Sequence, residues 1–353
     1  MSKPIPAAVI GASGYVGGEL LRLVAGHPVF DLQVAVSDSA AGKPVGHLFG
    51  HLATALAQHT FTAQDGWLDH VQPGADLALF SAAPHGASAA TLAEVVAACE
   101  AKSINLHVVD SSADFRFADQ GAWEDVYGQP HGAPQLLDQF TCALPEHAAT
   151  VDTPHVGHPG CFATASTLAV VPLIASGLTD AEVFISGVTG STGSGKTPVA
   201  GTHHPERNSN LYAYKPLAHR HAPEVARLSE AASGRQTKVR FVPHSGPFSR
   251  GIHVTVQARA HSKVTEEQLR AVYEQAYAGA AFVQVVTGTP RIKNVVASNQ
   301  CHIGVATDGE SVVIMAAIDN LVKGAAGGAV QWMNRLWGLP ETAGLDMAAP
   351  GWT

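Results

Sequence analysis

The chain has 353 residues, 46% of them hydrophobic and only 14% charged, with a formal net charge of −8. Such a length suggests two domains, each able to bury a core, and the composition argues against disorder. The acidic balance offers no footprint for nucleic acid or an anionic membrane, and no apolar run reaches transmembrane length.

In chain order, a short apolar strand over 7–10 runs into Gly11-Ala12-Ser13-Gly14-Tyr15-Val16-Gly17. Val16, Leu20, Leu21 and Val24 then recur at helical spacing until His27-Pro28. Strand, glycine turn and helix together form a dinucleotide-binding context. The glycines admit the pyrophosphate, and the helix N-terminus holds its charge. Cofactor contacts are therefore expected from Gly11, Ser13, Gly14, Tyr15, Val16 and Gly17. A second strand over 32–36 ends at Ser37, Asp38 and Ser39, with Lys43 just beyond. Ser37, Ser39 and Lys43 suit a 2′-phosphate, which favours NADP, whereas Asp38 favours NAD.

Strands over 76–80 and 107–110 alternate with an alanine-rich helix over 87–101. That pattern predicts an α/β fold with a Rossmann-type, doubly wound parallel sheet. The chain enters its first strand soon after Met1, which leaves no room for a signal peptide. The four cysteines are widely spaced without a CxxC pair and read as reduced thiols. Both features predict a cytoplasmic protein.

Past residue 157 the pattern changes. His158-Pro159-Gly160-Cys161 leads into a small-residue apolar run over 163–173. A turn that delivers a sulfur to the first turn of a buried helix favours a thiolate nucleophile. The alternative is a cysteine packed as a small hydrophobe. Strands over 181–185, 239–243, 252–258 and 312–315 follow with few helices between them. They predict an α+β domain with a mixed or antiparallel sheet. Thr265-Glu266-Glu267-Gln268 is a capping box that opens a helix. The expected organisation is a dinucleotide-binding domain over 1–157, completed by a helical C-terminus over 321–353. A catalytic, substrate and oligomerisation domain spans 158–320.

Gly190-Ser191-Thr192-Gly193-Ser194-Gly195-Lys196-Thr197 matches the phosphate-loop pattern G-x-x-x-x-G-K-[ST]. It would make the protein a nucleotide phosphotransferase. The two prolines that follow, Pro198 and Pro205, and the lack of a helical period argue against it, because a phosphate loop must open a helix. A dinucleotide turn, a candidate thiolate and the histidines of His219-Arg220-His221 point instead to thiol-dependent redox chemistry on an acyl phosphate or aldehyde.

These segments together resemble the N-acetyl-γ-glutamyl-phosphate reductase family of arginine biosynthesis. The resemblance rests on residues 11–20, Asp110-Ser111-Ser112-Ala113-Asp114-Phe115-Arg116, Leu144-Pro145-Glu146, Pro159-Gly160-Cys161, His219-Arg220-His221-Ala222-Pro223-Glu224 and residues 319–327. The related aspartate-semialdehyde dehydrogenases share the architecture and the cysteine but not the motifs around the histidine. The resemblance implies that Cys161 forms a thioester, that NADPH reduces it, and that His219 is the acid/base. It implies supporting or substrate-binding roles for Arg116, Arg220, His221 and Glu224. Asn320 matches a nicotinamide-side residue and reads equally as an N-cap. A small-molecule acyl phosphate, a homodimer or homotetramer, and no metal complete the expectation. The segment over 189–207 is longer than the family's usual loop. It leaves open a related acyl phosphate, aspartyl or carrier-linked aminoadipyl, as the substrate.

Overall fold

The computed structural model describes residues 3–352. The chain divides into two compact units, each built from separated segments. Unit 1 comprises Met1–Pro145, Ala149–His158 and Ala325–Asp346; unit 2 comprises Glu146–Ala148, Pro159–Gly324 and Met347–Thr353.

Unit 1 holds a seven-stranded, all-parallel sheet. Its strands are β1 (Ile5–Ile10), β2 (Phe30–Val36), β3 (Phe61–Thr62), β4 (Asp76–Ser81), β5 (Asn105–Asp110), β6 (Phe140–Thr141) and β7 (His155–Gly157). Their order is β3-β2-β1-β4-β5-β7-β6. β1 and β4 carry continuous runs of buried residues, as expected when both faces of a parallel sheet are covered. The order reverses between β1 and β4, and the loops after these two strands frame the switch point where such sheets take ligands. The last helix, Gly327–Leu336, packs on β5 and on the Tyr15–Ala25 helix. It is preceded by a π-helical turn, Val322–Ala326, where the sequence suggested a continuous helical C-terminus over 321–353. The C-terminus also departs from expectation. Residues 325–346 group with unit 1, but 347–353 group with unit 2, whose Phe248, His253 and Ile292 line a pocket with Ala348 and Trp352.

Unit 2 holds a mixed seven-stranded sheet. Its strands are β8 (Glu182–Thr189), β9 (Tyr212–Ala213), β10 (Lys238–Ser245), β11 (Ile252–Arg259), β12 (Val283–Val285), β13 (Cys301–Thr307) and β14 (Ser311–Ile318), in the order β12-β13-β14-β11-β8-β10-β9. Val183, Ile185, Val254 and Val256 alternate toward the Cys161–Ser176 helix, which packs on β8, β11 and β14. This helix is buried continuously from Phe162 to Ile174 and forms the centre of the unit's core.

Pro172 lies inside that helix. A proline there has no N–H for the carbonyl four residues back, so it orphans the oxygen of Leu168. Two tyrosines of the neighbouring Glu266–Ala276 helix and its C-terminal end repair the gap. Tyr277 Oη donates to the Leu168 oxygen at 2.6 Å, and Tyr273 Oη donates to the Ala169 oxygen. His147 Nε2 meets Tyr277 Oη at 3.0 Å. Because the tyrosine proton is committed to Leu168, the imidazole is the donor in that contact. The neighbouring helix opens with the expected capping box, Thr265 with Gln268.

Candidate active site

The glycine turn shows why side chains are excluded there. Gly11 has φ +69°, and a Cβ on it would lie 2.3 Å from the Ala82 oxygen after β4. A Cβ on Gly17 would lie 2.4 Å from the Gly11 oxygen. The β1 and β4 loops therefore close on each other, and Gly14 starts the Tyr15–Ala25 helix in extended conformation. Tyr15 is exposed and Val16 half-buried at the first turn. The arrangement leaves a bare backbone cradle at a helix N-terminus, which suits a pyrophosphate.

Three hydroxyls gather at the end of β2. Ser37 Oγ donates to Ser13 Oγ at 2.7 Å, and Ser39 Oγ lies 3.3 Å from Ser37 Oγ. Asp38, the acid that favoured NAD, is turned the other way, its Oδ1 accepting from Gln64 N at 2.7 Å. Lys43 is exposed in the turn that follows.

In unit 2, Cys161 is the first residue of its helix. Gly160 caps it in extended conformation (φ −64°, ψ 154°), and its carbonyl accepts from Thr164 N at 2.7 Å. Fully buried Glu224 accepts the Gly160 N–H at 2.7 Å through Oε1. Glu224 thus fixes the turn that delivers the sulfur. Its helix, His221–Ser233, packs along the cysteine helix.

His219 stands just before that helix, amid aromatic rings. Its ring centroid is 4.7 Å from His221, 5.4 Å from Phe241, 5.6 Å from Tyr214 and 6.0 Å from Phe162. Burial, then the positive charges of Arg220 and Lys215, pushes its pKa down to about 4. The imidazole is therefore neutral at neutral pH. Its Nδ1 accepts the His221 N–H at 3.1 Å, so the ring proton belongs on Nε2. Tyr214 was not singled out from the sequence, since nothing in its local pattern marks it. Burial, with Cys161 and Tyr212 adding to it, raises its hydroxyl well above the usual range, which keeps it a donor.

Arg116 belongs to unit 1. Its buried guanidinium donates through Nε to the His158 oxygen and through Nη2 to the Ser111 oxygen, each at 3.1 Å, bridging the ends of β5 and β7. Asn320, in unit 2, is not an N-cap. The neighbouring Asp319 takes that part, accepting from Leu321 N and Val322 N. Asn320 instead accepts from Gly251 N at 2.7 Å and donates to Thr192 Oγ1 at 3.0 Å.

The phosphate-loop lookalike does not open an α-helix. Ser191–Ser194 is a single 3₁₀ turn and Gly195 has φ +82°. The N–H groups that such a loop would offer to phosphate are spent on carbonyls. Ser191 N goes to Phe248 O, Thr192 N to Ser249 O, and Gly193 N to Gly190 O. Arg207 fastens the far end of the segment, donating to Ser245 Oγ and the Gly246 oxygen. Among the described residues no group of three or more His, Cys, Asp or Glu side chains is arranged to hold a metal ion. No helix among them is long and apolar enough to cross a membrane.

Comparison with known proteins gives two family models. One, described as semialdehyde dehydrogenase, NAD binding domain, matches residues 6–151; the other, described as semialdehyde dehydrogenase, dimerisation domain, matches 161–320. The chain is 39% identical over 352 residues to the N-acetyl-γ-glutamyl-phosphate reductase of Ectopseudomonas mendocina, covering 98% of this chain and 99% of that one. It is 38% identical over 349 residues to the reductase of the same name from Methanopyrus kandleri, covering 97% and 98%. Among solved structures it is similar to aspartate semialdehyde dehydrogenase II of Vibrio cholerae, with TM-score 0.69, 15% identity and coverage of 96% and 99%. A Candida albicans aspartate semialdehyde dehydrogenase solved with NADP gives TM-score 0.60 at 15% identity, covering 95% and 99%. At such identities the structural likeness concerns the fold.

Proposed function

We propose, for a chain that belongs to the N-acetyl-γ-glutamyl-phosphate reductase family, that it reduces N-acetyl-γ-glutamyl phosphate to N-acetyl-glutamate 5-semialdehyde and phosphate, a step of arginine biosynthesis. The observation that carries the mechanism is Cys161 as residue one of a buried 16-residue helix, its turn held by Glu224. There the N–H groups of the first helical turn and the macrodipole favour a thiolate and, next, an oxyanion. The Cys161 sulfur attacks the acyl carbon, the carbon–oxygen bond to phosphate breaks, and phosphate leaves with the electron pair. A thioester remains on Cys161. Bound NADPH supplies the hydride that reduces it. His219 then donates a hydrogen bond from Nε2–H to the hemithioacetal oxyanion that results, which re-forms the carbonyl as the carbon–sulfur bond breaks and its electron pair returns to sulfur. The aldehyde leaves and the thiolate is restored.

An acid/base role for His219 would also include deprotonating Cys161. The His221 N–H on Nδ1 opposes the tautomer that this needs, so the helix N-terminus is assigned the larger part in ionising the thiol. Arg220 and His221 support His219 through charge and position, and Arg116 orders the strand ends of unit 1.

The chain binds a nicotinamide cofactor, and the glycine cradle fits its pyrophosphate. The Ser13, Ser37 and Ser39 hydroxyls with Lys43, and the turning away of Asp38, support NADP over NAD. A homodimer or homotetramer is supported by the open face of the second sheet, where Phe184 is 56% exposed beside Leu217. The site serves a small-molecule acyl phosphate, in a cytoplasmic enzyme.

The test is the reverse reaction, with phosphate, NADP or NAD, and N-acetyl-glutamate, aspartate or aminoadipate semialdehyde in separate arms. Phosphate-dependent NADPH formation with the N-acetyl-glutamate compound, abolished by Cys161→Ser, is expected. Turnover confined to another semialdehyde, or surviving Cys161→Ser, overturns the reading.

A further inference from the structure

A buried ion pair lies one residue away from Gly324, a glycine packed against the nucleophile. Lys323 Nζ donates to Glu146 Oε1, and both side chains are only 1% exposed. Lys323 also sits 5.7 Å over the Phe282 ring. It belongs to the π-helical turn Val322–Ala326, where Gly324 N reaches back five residues to the Asp319 oxygen at 3.0 Å. That widened turn presents Gly324 to the cysteine. A Cβ on Gly324 would lie 2.8 Å from the Cys161 Cβ and 3.1 Å from its Cα. The backbone of the turn is therefore a wall against which Cys161 rests.

Burying two full charges is a costly way to hold a turn, and apolar residues of equal volume serve stability as well or better. Single-turn π segments also concentrate at functional sites. What an ion pair adds is direction. The ammonium meets the carboxylate of Glu146, which comes from Glu146–Ala148, a short arm of unit 2 whose flanking segments belong to unit 1. The arm is fixed a second time, through His147 on Tyr277.

We propose that Glu146 and Lys323 are positioning residues for catalysis. Their ion pair sets the π turn, and Gly324 in that turn sets where the Cys161 sulfur stands relative to the acyl carbon. The proposal rests on Cys161 as nucleophile. It predicts that chemistry is more sensitive to the pair than folding is. A misplacement of about 1 Å costs roughly 100-fold in rate.

The decisive variant is the double substitution Glu146→Leu with Lys323→Met, which removes both charges and keeps the volume. Three readouts are compared with the unaltered enzyme. They are the melting temperature, kcat in the phosphate-dependent oxidation of N-acetyl-glutamate semialdehyde, and the pH profile of Cys161 alkylation by iodoacetamide. The expected result is an unchanged or raised melting temperature, kcat lowered roughly 10- to 100-fold with KM for NADP kept, and an altered alkylation profile. A folded double variant with native kcat and native alkylation overturns the proposal. Should it not fold, Gly324→Ala tests the same wall without touching the charges. Loss of kcat there supports the proposal, and native kcat overturns it. Cys161→Ser in the same assay separates the two levels. If it keeps turnover, the nucleophile reading fails. If it is inactive while the other variants are native, only the positioning role fails.

Discussion

Tyr277→Phe should be disproportionately destabilising, and Pro172 should be the reason. The substitution keeps the ring and its packing but removes the hydroxyl proton that meets the Leu168 oxygen at 2.6 Å. That oxygen has no helical donor, because position 172 has no N–H. Leaving it bare costs about 1–3 kcal/mol, and leaving the His147 Nε2–H without its acceptor costs about as much again. A total of roughly 2–6 kcal/mol, at about 2–4 °C per kcal/mol for a unit of this size, lowers Tm by roughly 4–24 °C. The discriminating measurement is a double-mutant cycle with Pro172→Ala, followed by thermal or urea unfolding. Alanine restores an N–H that can bond the Leu168 oxygen, so Tyr277→Phe should cost about 1–3 kcal/mol less in that background. An identical cost in both backgrounds would refute the idea that the tyrosine repairs the proline's break.

The remaining predictions concern pH and cofactor. Burial holds the His147 pKa at about 4 against an ordinary 6.5. Between pH 6.5 and 4 the unfolded chain therefore binds a proton that the folded one does not. Stability should fall as pH drops through that window, by up to roughly 1.4 kcal/mol per pH unit. His147→Gln keeps a donor for Tyr277 and should flatten the pH dependence of the urea midpoint; an unchanged slope would count against the assignment. Ser39→Asp places a carboxylate beside Ser13 and Ser37. It should raise KM for NADPH about 10-fold or more while sparing NADH, a change of about 1.4 kcal/mol. Equal effects on both cofactors would remove the case for a 2′-phosphate site there.

Much of unit 1 was legible because its signals are local. The glycine turn, the apolar strands and the first helix lie where period and punctuation put them. The same holds for Cys161, since Pro-Gly before an apolar run marks a helix start. The Thr265 capping box was likewise readable, its partners being three residues apart. What escaped was chemistry assembled over distance. Tyr277 meets Leu168 across 109 positions and Lys323 meets Glu146 across 177. No periodicity carries such pairings. Pro172 alone would have suggested a helix end, yet the helix runs on to Ser176, and Tyr277 donates to the one carbonyl that the proline leaves without a helical donor. At residues 319–320 the error was one of register. Aspartate and asparagine are both good caps, and the backbone chose Asp319, leaving Asn320 to bind Gly251 and Thr192. The phosphate-loop lookalike shows the converse. Its letters match, but its N–H groups are already taken.

The interleaving of the two units has a consequence for biosynthesis. Unit 1 takes its last helix from residues 327–336, where Trp332 and Met333 are fully buried and Asn334 Oδ1 meets His27 Nε2 at 3.0 Å. On the ribosome, the parallel sheet must wait for this segment while the whole body of unit 2 is made. At usual elongation rates the delay is roughly 10–30 s. During that time the faces of β5 and the first helix that the last helix will cover are bare apolar surface. Until then that surface is open to non-specific association, and a nonsense codon anywhere before residue 325 would leave unit 1 permanently without its last helix.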